Sequence, residues 1–391
     1  MRTSESSTEE HEGNQLPAPS ITDRSLEELT AELAALGAPA YRARQLFRGV
    51  HARHVNAWGN LTDLPVAMRE SLAERYRLTA LRLATEQRSS DGTIKLLLAA
   101  SDGQLIETVQ IPASRTGVSR LPQGVHPGAD TSNSPTKTEP TARRLTICVS
   151  SQAGCALACR FCATGEMGFA RDLTAGEIVE QVYRAERPDG EREVDNVVFM
   201  GMGEPMANYD AVVRAIRILA DPHGYGFSSR RVTVSTSGLV PGIDRLAGEG
   251  LAARLAISLH APTDELRSDL MPINRRFPVH DIVAAADRYA GAVGRRVSYE
   301  YVMLAGVNDT DEMADRLVQL LAGRSAHVNL IPYNQTASRF GSSPPDRIRA
   351  FADRVRAGGI PCTVRASRGQ DIAAACGQLK AENRRVAGIR H

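Results

Sequence analysis

Two hydrophobic periods divide the chain. Between Ser25 and Leu78 apolar residues recur every three or four positions, the spacing of helices that bury one face. Ser25-Leu-Glu-Glu28 reads as a capping box, with Leu26, Leu29, Leu33 and Leu36 as the apolar stripe and Gly37 as the stop. A second helix is predicted over Tyr41 to Val50 after Pro39, and a third from about Pro65, carrying Met68 and Leu72. Residues 79–111 change to a period of two around the turns Asp91-Gly92 and Asp102-Gly103. From 145 onward short apolar runs recur at Leu145–Ser150, Asn196–Met200, Val232–Ser235, Arg254–Leu259, Ser298–Leu304, His327–Ile331 and Cys362–Arg365. Helical stretches at 174–187, 209–220, 241–249, 279–293, 311–323, 345–357 and 371–381 separate or follow them. Alternation of this kind implies a parallel sheet with right-handed crossovers. Six or seven units are too few for a closed eight-stranded barrel, so the expected fold is α/β, a partial (β/α)6-type barrel with an N-terminal helical domain and a small β extension.

The same pattern sets the expected boundaries. They are a disordered polar tail at 1–21, a helical domain at 22–78 and a β extension at 79–111. A flexible insertion rich in Pro, Ser, Thr and Gly follows at 112–142, then the barrel at 143–383 and a basic tail at 384–391.

Composition narrows the class. A formal net charge of +2 over 391 residues allows a nucleic-acid partner without requiring one. Arg42, Arg44, Arg48, Arg53 and His54 give the helical domain a basic side, either an RNA-contacting surface or a solvated helix face. Trp58 reads as packing within that domain. Three of the six cysteines sit in one tight motif, which argues for a reducing compartment and against a secreted disulfide framework. No apolar run is long enough to span a bilayer and the polar start lacks a signal-peptide core, so a soluble cytoplasmic protein is expected.

The chemistry centres on Cys155-Ala-Leu-Ala-Cys159-Arg-Phe-Cys162, a CxxxCxxC loop just after a predicted strand. Three thiolates can hold three irons of a cubane cluster and leave the fourth iron open to a small molecule. A structural zinc site is the alternative, but it normally takes four ligands and no fourth is near in sequence. This spacing, with an aromatic residue before the third Cys, resembles the radical S-adenosylmethionine (SAM) superfamily. In a partial barrel the working residues lie at the C-terminal ends of the strands. Gly201-Met-Gly203-Glu204-Pro205, Ser235-Thr-Ser-Gly238, Ser258-Leu-His260 and Pro332-Tyr-Asn334 all fall there. Glu107 shares a strand face with Leu105, Val109 and Ile111; it is either a carboxylate tuned for general-base work or an edge residue reaching solvent.

Three longer stretches narrow the resemblance. Cys148-Val-Ser-Ser-Gln-Ala-Gly-Cys155, Gly-Met-Gly-Glu-Pro at 201–205 and Arg365-Ala-Ser-Arg-Gly-Gln-Asp371-Ile-Ala-Ala-Ala-Cys376-Gly-Gln-Leu379 together resemble the RlmN/Cfr family of RNA adenine methyltransferases. The resemblance runs from about residue 25 to 380. It implies a [4Fe-4S] cluster on Cys155, Cys159 and Cys162, with two SAM molecules used per turnover. Gly203, Glu204, Ser235, Ser258, Leu259, His260 and Asn334 are then the expected SAM contacts. It further implies that Cys376 is methylated and carries the methyl onto adenine, that Glu107 removes the ring proton, and that Cys148 releases the product through a transient disulfide with Cys376. Adenine C2 of 23S rRNA is the expected target, with tRNA next to the anticodon a further one, and the C8 branch that gives antibiotic resistance is the alternative. A non-catalytic, zinc-stabilised RNA-binding module is the alternative from another class. Flavodoxin or ferredoxin is the expected electron donor and a monomer the expected state. Arg275 and Arg276 are candidate phosphate contacts in the loop at 268–276, and the loop at 336–343 is a second candidate RNA contact. Cys362 has no implied role and reads as core. The insertion at 112–142 departs from the family pattern by lengthening the separation of Glu107 from Cys148.

Overall fold

The computed structural model describes residues 18–112, 145–186, 194–336 and 338–380. Most of the tail expected at 1–21, the insertion beyond Pro112 and the basic tail at 384–391 lie outside the described residues.

Three helices open the chain: α1 (Leu26–Ala35), α2 (Ala40–His51) and α3 (Val66–Arg75). The capping box forms as the sequence predicts. Glu28 N–H donates to Ser25 Oγ at 3.2 Å, and Ser25 N–H donates to the Glu28 carboxylate at 2.9 Å. Leu29 and Leu33 are buried, whereas Leu36 is 46% exposed because it lies at the C-cap, past the last full turn. The basic side is also smaller than expected. Arg53 pairs with Asp63 at 2.6 Å, and the His54 ring stacks on Tyr183 of a barrel helix at 4.1 Å. Arg44 and Arg48 remain exposed.

Strands β1 (Leu81–Arg88), β2 (Ile94–Ala100) and β3 (Leu105–Pro112) form an antiparallel meander. β3 then pairs antiparallel with β4 (Leu145–Cys148), placing Val109 opposite Cys148. The β extension is therefore continuous with the barrel sheet. After β4 come a small hairpin strand β5 (Gln152–Gly154), the one-turn helix α4 (Ala163–Glu166), its hairpin partner β6 (Phe169–Asp172) and α5 (Ala175–Ala185). The repeat then runs β7 (Val194–Phe199), α6 (Tyr209–Ala220), β8 (Val232–Thr236), α7 (Val240–Ala247) and β9 (Arg254–Ser258). It continues with α8 (Asp264–Leu270), α9 (Val279–Val293), β10 (Val297–Met303), α10 (Asp311–Leu321), β11 (Ala326–Pro332), α11 (Pro345–Ala357) and β12 (Cys362–Val364).

All neighbouring pairs from β4 through β7, β8, β9, β10 and β11 to β12 are parallel, so seven strands curve in one direction with helices outside. Strands covered on both faces read as apolar runs, which is why the sequence marks them clearly. Cys362 is buried in the last strand. The helix predicted over 371–381 does not form among the described residues. Gly369, Ala373 and Gly377 adopt positive φ of 64°, 50° and 81°, which leaves one 3-10 turn at Gln370–Ile372. The segment 369–380 crosses the C-terminal mouth of the sheet as an irregular strap.

Candidate active site

The rim is assembled by one buried amide. Gln181 on α5 accepts from Ser150 N–H at 2.7 Å and from the Thr108 hydroxyl at 2.8 Å, and donates to Ser150 C=O at 2.9 Å. Ser150 Oγ in turn donates to Glu107 C=O at 2.6 Å and accepts from Met202 N–H at 2.9 Å. One helix thereby fixes β3, the end of β4 and the glycine-rich loop after β7.

A first cleft of about 970 Å³ opens above these ends. Cys155, Cys159 and Cys162 line it together with Gly203, Glu204, Ser235, Ser258 and His260. Burial pushes the Cys155 thiol up to about 11 and the Cys159 thiol well above its usual value. Gly201 and Gly203 are needed for the loop to approach: a Cβ at Gly201 would lie 2.7 Å from Val149 C=O, and one at Gly203 2.5 Å from the Gln152 side chain. Glu204 is buried, with its oxygens accepting from Met206 N–H at 3.0 Å and Ser237 N–H at 2.8 Å. Burial raises its pKa against the pull of those bonds. Ser235 Oγ and Ser258 Oγ lie 3.4 Å apart. His260 adopts φ of 59°, and its Nδ1 accepts from Val302 N–H at 3.0 Å. Burial, helped by the nearby Arg267, drops its pKa to about 3, so the ring is neutral with its Nε2 hydrogen left to donate.

Arg267 is wholly buried behind this wall. It donates to Leu259 C=O at 3.0 Å, Ser258 C=O at 3.0 Å, Ser237 C=O at 2.6 Å and Asn274 Oδ1 at 2.9 Å. Its guanidinium ties the ends of β8 and β9 to the segment after α8.

The three thiols line one cleft without converging on a point. Among the described residues no group of three His, Cys, Asp or Glu side chains is arranged to hold a single metal ion. Soft donors spread round a cleft, with one position left to a small molecule, fit the corners of a cubane.

A second cleft of about 1020 Å³ lies alongside, lined by Cys148, Met200, Asn334, Arg365, Arg368 and Cys376 among others. Cys376 lines both clefts, and Cys148 only the second. Burial pushes the Cys148 thiol up to about 12, and the neighbouring Cys376 adds to the rise. Cys376 is exposed at the cleft wall; partial desolvation by its surroundings raises its thiol, while Arg365 opposes the rise. The strap bearing Cys376 is tied down by Ala163 N–H to Gly377 C=O at 2.8 Å and the Thr164 hydroxyl to Leu379 C=O at 2.6 Å.

Glu107 is buried and lines a third cleft, with Lys95, Glu166, Gln378 and Lys380. It is not the carboxylate among apolar neighbours that the alternation describes. Lys95 Nζ lies 2.9 Å from its Oε1, and Lys380 N–H donates to its Oε2 at 2.9 Å. The strand face is shared as predicted; the cation comes from the adjacent strand, in a register that no local pattern reveals.

Of the expected SAM contacts, Gly203, Glu204, Ser235, Ser258 and His260 meet in the first cleft. Leu259 lies buried behind the wall, and Asn334 faces the second cleft. Arg275 and Arg276 are exposed. The sequence reading missed Gln181, Arg267, Lys95 and Glu300. An acidic residue inside the apolar run Ser298–Leu304 was the available signal for the last.

A partial parallel barrel with three thiols at its C-terminal mouth defines a radical SAM enzyme, and the Radical SAM superfamily model matches residues 149–318. The model described as "Ribosomal RNA large subunit methyltransferase N-terminal domain" matches residues 20–78. The "Dual-specificity RNA methyltransferase RlmN" of Anaeromyxobacter dehalogenans is 45% identical over 93% of this chain and 92% of its own. The "Probable dual-specificity RNA methyltransferase RlmN" of Moorella thermoacetica is 46% identical over 94% and 97%. The crystal structure of a radical SAM methyltransferase from Sphaerobacter thermophilus superposes with a TM-score of 0.83 at 48% identity, covering 93% of this chain and all of that one. The chain belongs to the RlmN family of radical SAM RNA methyltransferases. No described helix is long and apolar enough to cross a membrane.

Proposed function

We propose that this enzyme methylates C2 of adenine in 23S rRNA, and of the adenine beside the tRNA anticodon, through an S-methylated Cys376. The observation that carries the reading is the place of Cys376: it lines the cysteine-loop cleft and the Cys148 cleft at once. A residue so placed can take a methyl group from SAM on one side and deliver carbon to a base on the other.

A [4Fe-4S] cluster on Cys155, Cys159 and Cys162 would supply the electron that cleaves SAM into a hydrogen-abstracting radical. The remaining work belongs to the chain. Cys376 attacks the methyl of a first SAM as its thiolate, since an electron-poor ring carbon cannot make that attack itself. Glu107 accepts the proton that leaves the ring. Cys148 attacks the Cys376 sulfur, which frees the methylated base and leaves a disulfide that an external thiol reduces by exchange; flavodoxin or ferredoxin is the proposed electron donor for the cluster. Gly203, Glu204, Ser235, Ser258, Leu259, His260 and Asn334 are the proposed SAM-contacting group, with Leu259 acting through its backbone. The RNA must present its adenine out of the stack to enter the second cleft, and Arg365 and Arg368 on that cleft's wall suit the flanking phosphates.

The test is anaerobic turnover of large-subunit rRNA and of tRNA, followed by nucleoside mass spectrometry. 2-Methyladenosine that disappears in Cys376→Ala is expected. 8-Methyladenosine would move the enzyme to the C8 branch, and SAM cleavage without methylated adenosine would overturn the RNA reading.

A further inference from the structure

Glu300 has one buried carboxylate oxygen with no hydrogen-bond partner among the described residues. Its main-chain carbonyl accepts from Leu259 N–H at 3.0 Å and His260 N–H at 3.3 Å, so the residue is built into the junction of β9 and β10. Oε1 accepts from Asn329 Nδ2 at 2.8 Å. Asn329 is itself fixed, because its Oδ1 accepts from the Thr363 hydroxyl at 2.5 Å and lies 3.1 Å from His327 Nε2. This chain of bonds decides which oxygen is left over. Oε2 is buried and has no hydrogen-bond partner among the described residues. The side chain lines the first cleft beside Ser258, its register partner on β9.

A buried acceptor without a donor is costly, and native proteins leave few of them. A carboxylate accepts only, so the missing partner must donate. SAM carries three kinds of donor: its ammonium, its adenine amine and the two ribose hydroxyls. The ammonium belongs near the cysteine loop and Glu204, which stands at the end of β7, three strand spacings of about 4.8 Å from β10. Ser258 and Glu300 offer a hydroxyl and a bare acceptor side by side, an arrangement suited to two adjacent hydroxyls. We propose that Glu300 binds the ribose 2′ and 3′ hydroxyls of SAM. This rests on reading the first cleft as the SAM site.

Glu300→Gln tests it. Asn329 continues to donate to the remaining amide oxygen, so an NH2 group replaces Oε2 and a donor stands where an acceptor stood. Binding of S-adenosylhomocysteine and of its 2′,3′-dideoxy analogue is measured on anaerobically reconstituted protein, with cluster absorbance and melting temperature matched between variants. Wild type is expected to bind the dideoxy analogue about 10-fold more weakly than the parent. Glu300→Gln is expected to lose about 10-fold on the parent and nothing further on the analogue. Unchanged affinity for the parent, or an equal loss on both ligands, overturns the assignment; an equal loss would direct Oε2 to the adenine amine or the ammonium. Failure of loaded wild type to bind the parent would instead remove the SAM reading of the cleft, and the ribose assignment with it.

Discussion

Asn334 donates its side-chain amide to the main-chain carbonyl of Cys376 at 3.2 Å, and Gln370 Nε2 donates to Asn334 Oδ1 at 2.8 Å. A residue expected from sequence to touch SAM thus also anchors the strap that carries the proposed methyl-accepting thiol. Asn334→Ala removes both bonds to the strap, worth about 1 kcal/mol each, or about a thirtyfold effect on a step that needs Cys376 in place. The methylated fraction of Cys376, read by peptide mass after incubation with SAM, should fall by that order. An unchanged fraction would show that the strap is positioned without Asn334.

Gly203 combines φ of +95° with a Cβ position 2.5 Å from Gln152 Cβ and 2.7 Å from Gln152 N–H nitrogen. Backbone cannot step aside as a flexible side chain can, so Gly203→Ala must shift the loop that bears Glu204. A strain of about 1–3 kcal/mol is expected from the dihedral alone. Urea unfolding should show the loss, and SAM binding should weaken with it; a variant as stable as wild type would mean that the loop is free to move.

What the sequence made legible is what local chemistry encodes. The capping box at Ser25, the apolar runs of the parallel strands and the CxxxCxxC spacing are each complete within a few residues. The partners of charged groups were not legible, because they arrive through sheet register: Lys95 reaches Glu107 from β2, and Asn329 reaches Glu300 from β11. The strap misled for a different reason. Asp371-Ile-Ala-Ala-Ala-Cys376 has good helix formers, but the positive φ of Ala373 and the glycines on either side follow from bonds to Asp91, Lys95 and Ala163. Tertiary contacts there override propensity. His54 belongs with these cases, since its packing on Tyr183 depends on how the helical layer meets α5.

Lys95 tests the charge pairing at the third cleft. Its ammonium lies 2.9 Å from Glu107 Oε1 and 3.3 Å from Ala373 C=O, joining β2, β3 and the strap. Lys95→Met takes the cation from a buried carboxylate, a change that typically costs about 3 kcal/mol. The double variant Lys95→Met/Glu107→Gln should recover a good part of this in urea unfolding, because no charge is then left behind. Equal losses in the single and double variants would show that the pair contributes little.

His51 makes the contact between the helical layer and the barrel sensitive to acid. The ring is fully buried, with Nδ1 2.8 Å from the Tyr183 hydroxyl and the Phe47 ring centroid 4.3 Å away. Burial, followed by the nearby His54, lowers its pKa from 6.5 to about 3. The unfolded chain therefore takes up a proton near pH 6.5 that the folded chain refuses until about pH 3. The stability this provides is complete above pH 6.5 and declines as pH falls, by about 1.4 kcal/mol per unit within that window. Between pH 7.5 and pH 5 wild type should lose about 2 kcal/mol more than His51→Phe, the part of that interval below 6.5 being the only part that counts. Taking the difference between the two proteins removes the titration of groups common to both. Parallel pH profiles in urea unfolding would show that the folded and unfolded chains take up the His51 proton at the same pH, so that burial does not hold the ring neutral.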